Sequence, residues 1–257
     1  MLALASLSGA ADAAWARAGA PFADLALLGG LALDSEARAA ARDLVARGRE
    51  EFLPDDPLSF ADAELAALAD APIRPGLNVR STTVGPIREA AATCARHDAV
   101  LEINAHCRQA ELCAVGCGEA LLRDTDRLAR YVAAAAETGA TVSVKVRTEV
   151  DAVDLPATAR RVADAGADIV HVDAMDSEPV VADVAAAAPE AFVLANNGVR
   201  DRGTAWEYLA YGADGVSVGR PSDDPAILRR VARAVDDWDR RADEPSAPAR
   251  RDGGVRE

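Results

Sequence analysis

One lysine stands in this 257-residue chain, Lys145 in the stretch TVSVKVRTEV (141–150), against 27 arginines. An ammonium is a compact charge on a slim stem and a guanidinium is a wide planar fork, so the two are not exchangeable where space is tight. Lys145 is either a chance survivor of a skewed composition or an amine that arginine cannot replace. A second group of reactive side chains lies in HCRQAELCAVGC (106–117), which carries His106, Cys107, Cys113 and Cys117; the fourth cysteine is Cys94. All four side chains of that stretch are potential metal ligands, but C-x5-C-x3-C matches no common zinc or iron–sulfur spacing, and no metal is expected. Cysteines gathered in the first half of a large chain that reads as intracellular do not suggest a disulfide framework either.

The elements that must position these residues follow from periodicity. Apolar runs of strand length, LALASL, LALLGGLAL, GLNVRST, AVLEINA, TVSVKVRT, DIVHVDA, AFVLANN and GVSVGR, alternate with Ala-rich amphipathic stretches such as DSEARAAARDLVARG, DTDRLARYVAAAAETG and LPATARRVADAG. Several of the latter start at Asp or Ser and end at Gly, as helix caps require. Eight such units in one chain predict an α/β fold, a TIM (β/α)8 barrel over residues 1–240. A longer loop and short helix are expected at 49–65, and a disordered tail rich in Pro, Gly and charge at 241–257. In a barrel, alternate residues face the helices and the lumen. Val142, Val144 and Val146 fit the helix side, which turns Ser143, Lys145 and Arg147 inward. The same rule turns Asn78, Arg80, Glu102, Asn104, His171 and Asp173 inward. Such residues could merely pair with one another, for example Glu102 with Lys145. Their convergence at the carboxyl ends of four adjacent strands, where barrel active sites sit, favours a site.

The stretch EINAHCRQAELCAVGCGEALLRDTDRLARYV followed by VSVKVRT resembles the dihydrouridine synthase family of FMN-dependent barrel oxidoreductases. The family's Asn-x-Gly-Cys-Pro turn, Gly-x-Gly-x-x-Leu-Leu segment and Lys-x-Arg strand correspond to NAHCR, GCGEALL and KVR, in the same order. IVHVDA is similar to its flavin histidine strand, NNG to its phosphate loop and VGR to its final Gly-Arg. The resemblance runs over residues 1–238 and is most specific at 102–147. It implies FMN as cofactor, with Lys145 and His171 in contact with the flavin and Asn104 beside the ring. Asn78 stands where the family usually has a flavin-binding glutamine, so the resemblance implies that it too binds the cofactor. Asn197, Gly198, Gly219 and Arg220 would hold the phosphate, and the loops after the seventh and eighth strands are also the usual phosphate site of a barrel. Lys145 would then stabilise the negative charge of the reduced flavin. Cys107 would carry the proton, since a thiol with a pKa of about 8.5 can give or take one near neutrality. His106 and Arg108 replace the family's Gly and Pro around that cysteine.

The implied reaction is reduction, or oxidation, of a pyrimidine C=C bond, on tRNA uridine or on a free pyrimidine, with NAD(P)H or another electron donor. Forty-two acidic residues give a formal net charge of −14, which opposes a grip on phosphate backbones. No basic stripe and no following helical RNA-binding region is seen, so beside the leading dihydrouridine synthase-like reading a free base or small acid, as dihydroorotate dehydrogenases take, is the close alternative. A flavin-free phosphate-binding barrel, with Lys145 as Schiff base or acid, and a non-catalytic barrel subunit are the readings from other classes. Abundant Ala and Asp with Arg in place of Lys suggests a halophile. No apolar run reaches the roughly 20 residues of a membrane span, and the amino terminus lacks a basic n-region, so the expected location is the cytoplasm.

Overall fold

The computed structural model describes residues 1–243. Eight parallel strands close into a barrel in sequence order, with the last pairing back on the first. They are β1 (Leu2–Leu4), β2 (Leu25–Ala32), β3 (Arg74–Arg80), β4 (Val100–Asn104), β5 (Thr141–Arg147), β6 (Ile169–Asp173), β7 (Phe192–Asn196) and β8 (Gly215–Val218). Each of the eight expected strands is present. Among the described residues, α1 (Ala13–Gly19) follows β1, and α2 (Ser35–Ala46) and α3 (Pro57–Ala66) follow β2. Next come α4 (Val84–Arg96) after β3, then α5 (Ala110–Ala114), α6 (Glu119–Arg123) and α7 (Thr125–Ala136) after β4. The last four are α8 (Leu155–Asp164), α9 (Val180–Ala187), α10 (Arg202–Ala210) and α11 (Pro225–Asp243). The final helix runs three residues past the expected boundary at 240, and the rest of the expected tail, 244–257, lies outside the described residues.

Aspartates start most of the longer helices. Asp12, Asp34, Asp56, Asp124, Asp154 and Asp201 each accept a backbone N–H of the first turn, filling an otherwise orphaned donor. Strand alternation then divides the interior. Leu77, Val79, Leu101, Ile103, Val142, Val144 and Val146 are buried in the belt between sheet and helices, each side chain contributing about 1.5–3 kcal/mol by leaving water. Ala3, Leu25, Leu27, Val100, Ile169 and Leu194 form a separate apolar plug in the lumen at the amino ends of the strands. The lumen is therefore filled by apolar side chains at one end, and polar side chains occupy the other. No helix among the described residues is long and apolar enough to cross a membrane.

Candidate active site

Immediately above the apolar plug, inward side chains of six strands form one hydrogen-bonded layer around Glu102. The Glu102 carboxylate accepts from Asn78 Nδ2 (2.7 Å), from Ser143 Oγ (3.1 Å) and from His171 Nδ1 (2.6 Å). His171 Nε2 meets Ser217 Oγ at 2.8 Å, and Asn196 Nδ2 donates to the same hydroxyl at 2.8 Å. Glu102 and His171 have no exposed surface. Burial alone would raise the Glu102 pKa, but His171, Lys145 and the Asn78 hydrogen bond more than offset it and hold the carboxyl below the usual range. For His171, burial and the Lys145 charge outweigh Glu102 and lower its pKa. The pair is thus an ionised Glu102 and a neutral His171 that donates through Nδ1, which leaves Ser217 to donate to Nε2. The Glu102–Lys145 pairing anticipated from alternation does not form as a contact: Lys145 acts on Glu102 through space, and the carboxylate spends its lone pairs on neutral donors.

Over this floor lies a cavity of about 780 Å³ at the carboxyl ends of the strands. That volume falls within the range of small-molecule and cofactor sites, roughly 300–1,000 Å³. Its walls carry seven cationic side chains, Lys145 with Arg49, Arg80, Arg108, Arg147, Arg200 and Arg220, against two carboxylates, Glu51 and Asp173. In a chain of net charge −14 this is an inversion of sign, and it gives the cavity a positive local field. Lys145 is 2% exposed. It lines the cavity, and its ammonium makes no hydrogen bond or ion pair with any described residue. Arg80, by contrast, is held from two sides. It pairs with Glu51 at 2.6 Å, with both side chains buried, and donates to Ser8 Oγ. Burial works against its charge, but Cys107 and Glu51 beside it keep its pKa above the ordinary arginine value. Room for this guanidinium comes from Gly30, where a Cβ would lie 2.7 Å from Arg80 Nη2.

Cys107 sits on the turn after β4, half-buried and facing the cavity. Asn104 shapes that turn. Its Oδ1 accepts from the backbone N–H of His106 (3.3 Å) and of Cys107 (3.1 Å), while its Nδ2 donates to Asn78 Oδ1 at 2.9 Å. A continuous chain of hydrogen bonds therefore links Glu102 to the cysteine turn. Gly118 closes it from the other side. Glu119 N–H donates to the Cys107 carbonyl (2.9 Å), and a Cβ on Gly118, at φ 60°, would lie 2.0 Å from that oxygen. The glycine of the GCGEALL segment is thus a requirement of close backbone approach. Cys113 donates to the Cys107 carbonyl (3.4 Å), and burial pushes the thiols of Cys94 and Cys117 up to about 12. Among the described residues no group of three or more His, Cys, Asp or Glu side chains is arranged to hold a metal ion.

Across the cavity, the loops after β7 and β8 bring Asn197, Gly198, Gly219 and Arg220 into the wall. The backbone N–H groups of Gly198, Val199, Gly219 and Arg220 find no hydrogen-bond partner among the described residues. A Cβ at Gly198 or Gly219 would meet nothing within 4 Å, so both backbones face open space. Of the residues singled out in the sequence, Asn104, Cys107, Lys145, Asn197, Gly198, Gly219 and Arg220 all line this one cavity. Asn78 and His171 lie in the floor beneath it, fully buried. Alternation had turned Arg80 inward without giving it a role, and Glu51 falls in the irregular 49–65 segment, where no periodicity marks it.

Comparison with known proteins agrees with this architecture. Residues 79–251 match the dihydrouridine synthase (Dus) family. An uncharacterized protein of Methanocaldococcus jannaschii, MJ0144, is 27% identical over 146 residues, 56% of this chain and 57% of that protein, so the chain spans little more than half of that relative's length. Among solved structures, a chain of the tryptophan synthase complex from Pyrococcus furiosus is similar in fold. It has a TM-score of 0.57 and 12% identity, over 91% of this chain and 96% of that one. The first of these likenesses covers the cysteine turn, the lysine strand and both glycine loops together, and the chain belongs to the dihydrouridine synthase family.

Proposed function

We propose that the chain is an FMN-dependent oxidoreductase acting on a pyrimidine C=C bond. The observation that carries this reading is Lys145, a buried ammonium with no partner among the described residues, set in the wall of a large cationic cavity. A fixed unpaired cation costs folding energy unless an anion meets it there. The residues present fit the flavin. The free amides at 198–199 and 219–220, with Arg220, suit its phosphate, and Lys145 suits the edge of the ring that gains negative charge on reduction. Bound flavin supplies hydride transfer to or from one carbon of the C=C bond. Cys107 gives or takes the proton at the adjacent carbon. Asn104 holds the cysteine turn, and Asn78 and His171 act from the floor by fixing Asn104 and Glu102.

The family name points to tRNA uridine as substrate. A second reading, a free pyrimidine or its nucleotide, is supported by the −14 net charge, which opposes a polyanionic backbone. The test is direct. Protein purified with added FMN should turn yellow, and the released cofactor should have the mass of FMN. With NADPH or dithionite as donor, an unmodified tRNA transcript and free uracil or uridine monophosphate are then compared for a gain of two hydrogens by mass spectrometry. A colourless protein that takes up no flavin in high or low salt would overturn the reading.

A further inference from the structure

His106 occupies the position next to Cys107 and lines the cavity. Three donors converge on Asn104 Oδ1: the His106 N–H, the Cys107 N–H and His106 Nδ1, the last at 3.1 Å. Backbone N–H groups can only donate, so the Asn104 atom they meet is its oxygen, and an amide oxygen can only accept. His106 Nδ1 must then carry the proton. Burial, followed by the positive charges of Lys145, Arg80 and Arg147 around it, lowers the pKa of the ring well below the ordinary value, so the ring is neutral. A neutral imidazole protonated on Nδ1 has a bare lone pair on Nε2. That nitrogen has no partner among the described residues. The carboxylates in the same walls are engaged, Glu51 with Arg80 and Asp173 with Asn197.

Resting on the proposed pyrimidine chemistry, we propose that His106 is a specificity-determining residue whose Nε2 accepts the imide N3–H of a uracil-type ring. The surroundings complement such a ring on both sides of that hydrogen. An imide offers an acceptor oxygen, an N–H and a second acceptor oxygen in a row, and the cavity offers a lone pair among cationic donors. Cytosine presents a lone pair at N3, so it would set two acceptors against each other. Sites built around one such hydrogen bond reject analogues that lack it far more strongly than apolar pockets reject a missing methylene.

The test combines a tautomer measurement with binding. With three histidines in the chain, long-range nitrogen–proton NMR on ¹⁵N-histidine protein resolves each ring, and a His106→Phe variant assigns the signal. His106 should be neutral and protonated on Nδ1 at neutral pH, and its Nε2 signal should move when uridine monophosphate binds. Calorimetry with and without FMN should rank uridine monophosphate about tenfold or more above both its N3-methyl analogue and cytidine monophosphate. His106→Phe should erase that ranking, and His106→Gln, which restores an acceptor oxygen, should recover part of it. The proposal is overturned if His106 is charged or protonated on Nε2, if no uridine nucleotide binds, or if the ranking survives in His106→Phe. Should the tautomer and ranking hold in a protein that binds no flavin, the imide site stands and the oxidoreductase reading falls.

Discussion

Replacing Glu102 by glutamine removes one negative charge and one acceptor oxygen from the closed end of the cavity. Three donors meet this carboxylate, from Asn78, Ser143 and His171. A hydrogen bond to a charged acceptor contributes about 1.5–3 kcal/mol and one to a neutral acceptor about 0.5–1.5, so neutralisation removes about 1 kcal/mol per donor. The glutamine amide must also face either Asn78 or the His171–Ser143 pair with its NH₂ group. Against Asn78 two donors collide. Against His171 the ring can take its proton on Nε2 and pass it towards Ser217, at the cost of reordering that side of the floor. Relief from burying a charge offsets part of the loss. The lowered pKa of Glu102 shows that its partners outweigh that burial, so the sign is a net destabilisation. We expect Glu102→Gln to lose about 2–3 kcal/mol of unfolding free energy at neutral pH, or about 5–10 °C in Tm. The folded-state pKa lies below the unfolded value. The contribution is therefore present above about pH 4.3 and is lost as pH falls through the folded value. Urea titrations of both proteins should show a gap that is constant from neutral pH to mildly acid conditions and closes below about pH 4. A variant within about 0.5 kcal/mol of wild type at neutral pH, or a gap that widens on acidification, would refute the description of the floor.

Lys145→Arg keeps the charge but not the shape, and is expected to weaken FMN binding, with Lys145→Met weakening it by roughly ten- to a hundredfold; wild-type affinity and flavin potential in Lys145→Arg would make the amine an accident of composition. Cys107→Ala should keep bound flavin and its reduction by a donor while losing about 10²-fold or more in turnover, whereas Cys113→Ala stays near wild type; equal losses at both would remove the special role of Cys107. His106 and His171 are both held neutral, with folded-state pKa values below the unfolded one. As pH falls below about 6.5 the unfolded chain takes up protons that the fold refuses, and stability should drop by up to about 1.4 kcal/mol per pH unit for each ring. A urea midpoint that stays flat between neutrality and pH 5.5 would contradict this, and His171→Gln should make the slope shallower.

Much of this was legible in the sequence because strand burial imposes a period of two. Val142, Val144 and Val146 could face only the helices, which fixed Ser143, Lys145 and Arg147 inside. Alternation reports the face of a residue but not its depth. Barrel strands are staggered by shear, so Asn78 and His171 end up beneath the cavity while Asn104 and Lys145 reach its wall. The partner of Glu102 was also hidden, because its contact with His171 crosses the lumen from β4 to β6 past the intervening strand. The cationic wall was dispersed as single arginines from Arg49 to Arg220, each indistinguishable from its neighbours in a chain with 27 of them. Glu51 could not be read at all, since the segment that folds it onto Arg80 has no repeat to betray which residues turn inward.

The opposite signs of surface and cavity have a kinetic consequence. At low ionic strength an approaching anion first meets the field of the whole acidic molecule, which repels it, and feels the arginines only within its last few ångströms of travel. Added salt shortens the reach of both fields, to about 10 Å at 0.1 M and about 3 Å at 1 M. It removes the long-range outer barrier before it weakens the short-range contacts inside, which lie within the screening length. Arrival of a charged ligand should therefore quicken with salt, the reverse of what a basic cleft on a neutral protein shows, while departure changes little. Molecules with many charges spread over tens of ångströms never leave the repulsive zone, whereas a compact anion does so on entering. The acidic exterior would thereby act as a filter on ligand size, enforced by the range of the field and relaxed as the salt concentration rises.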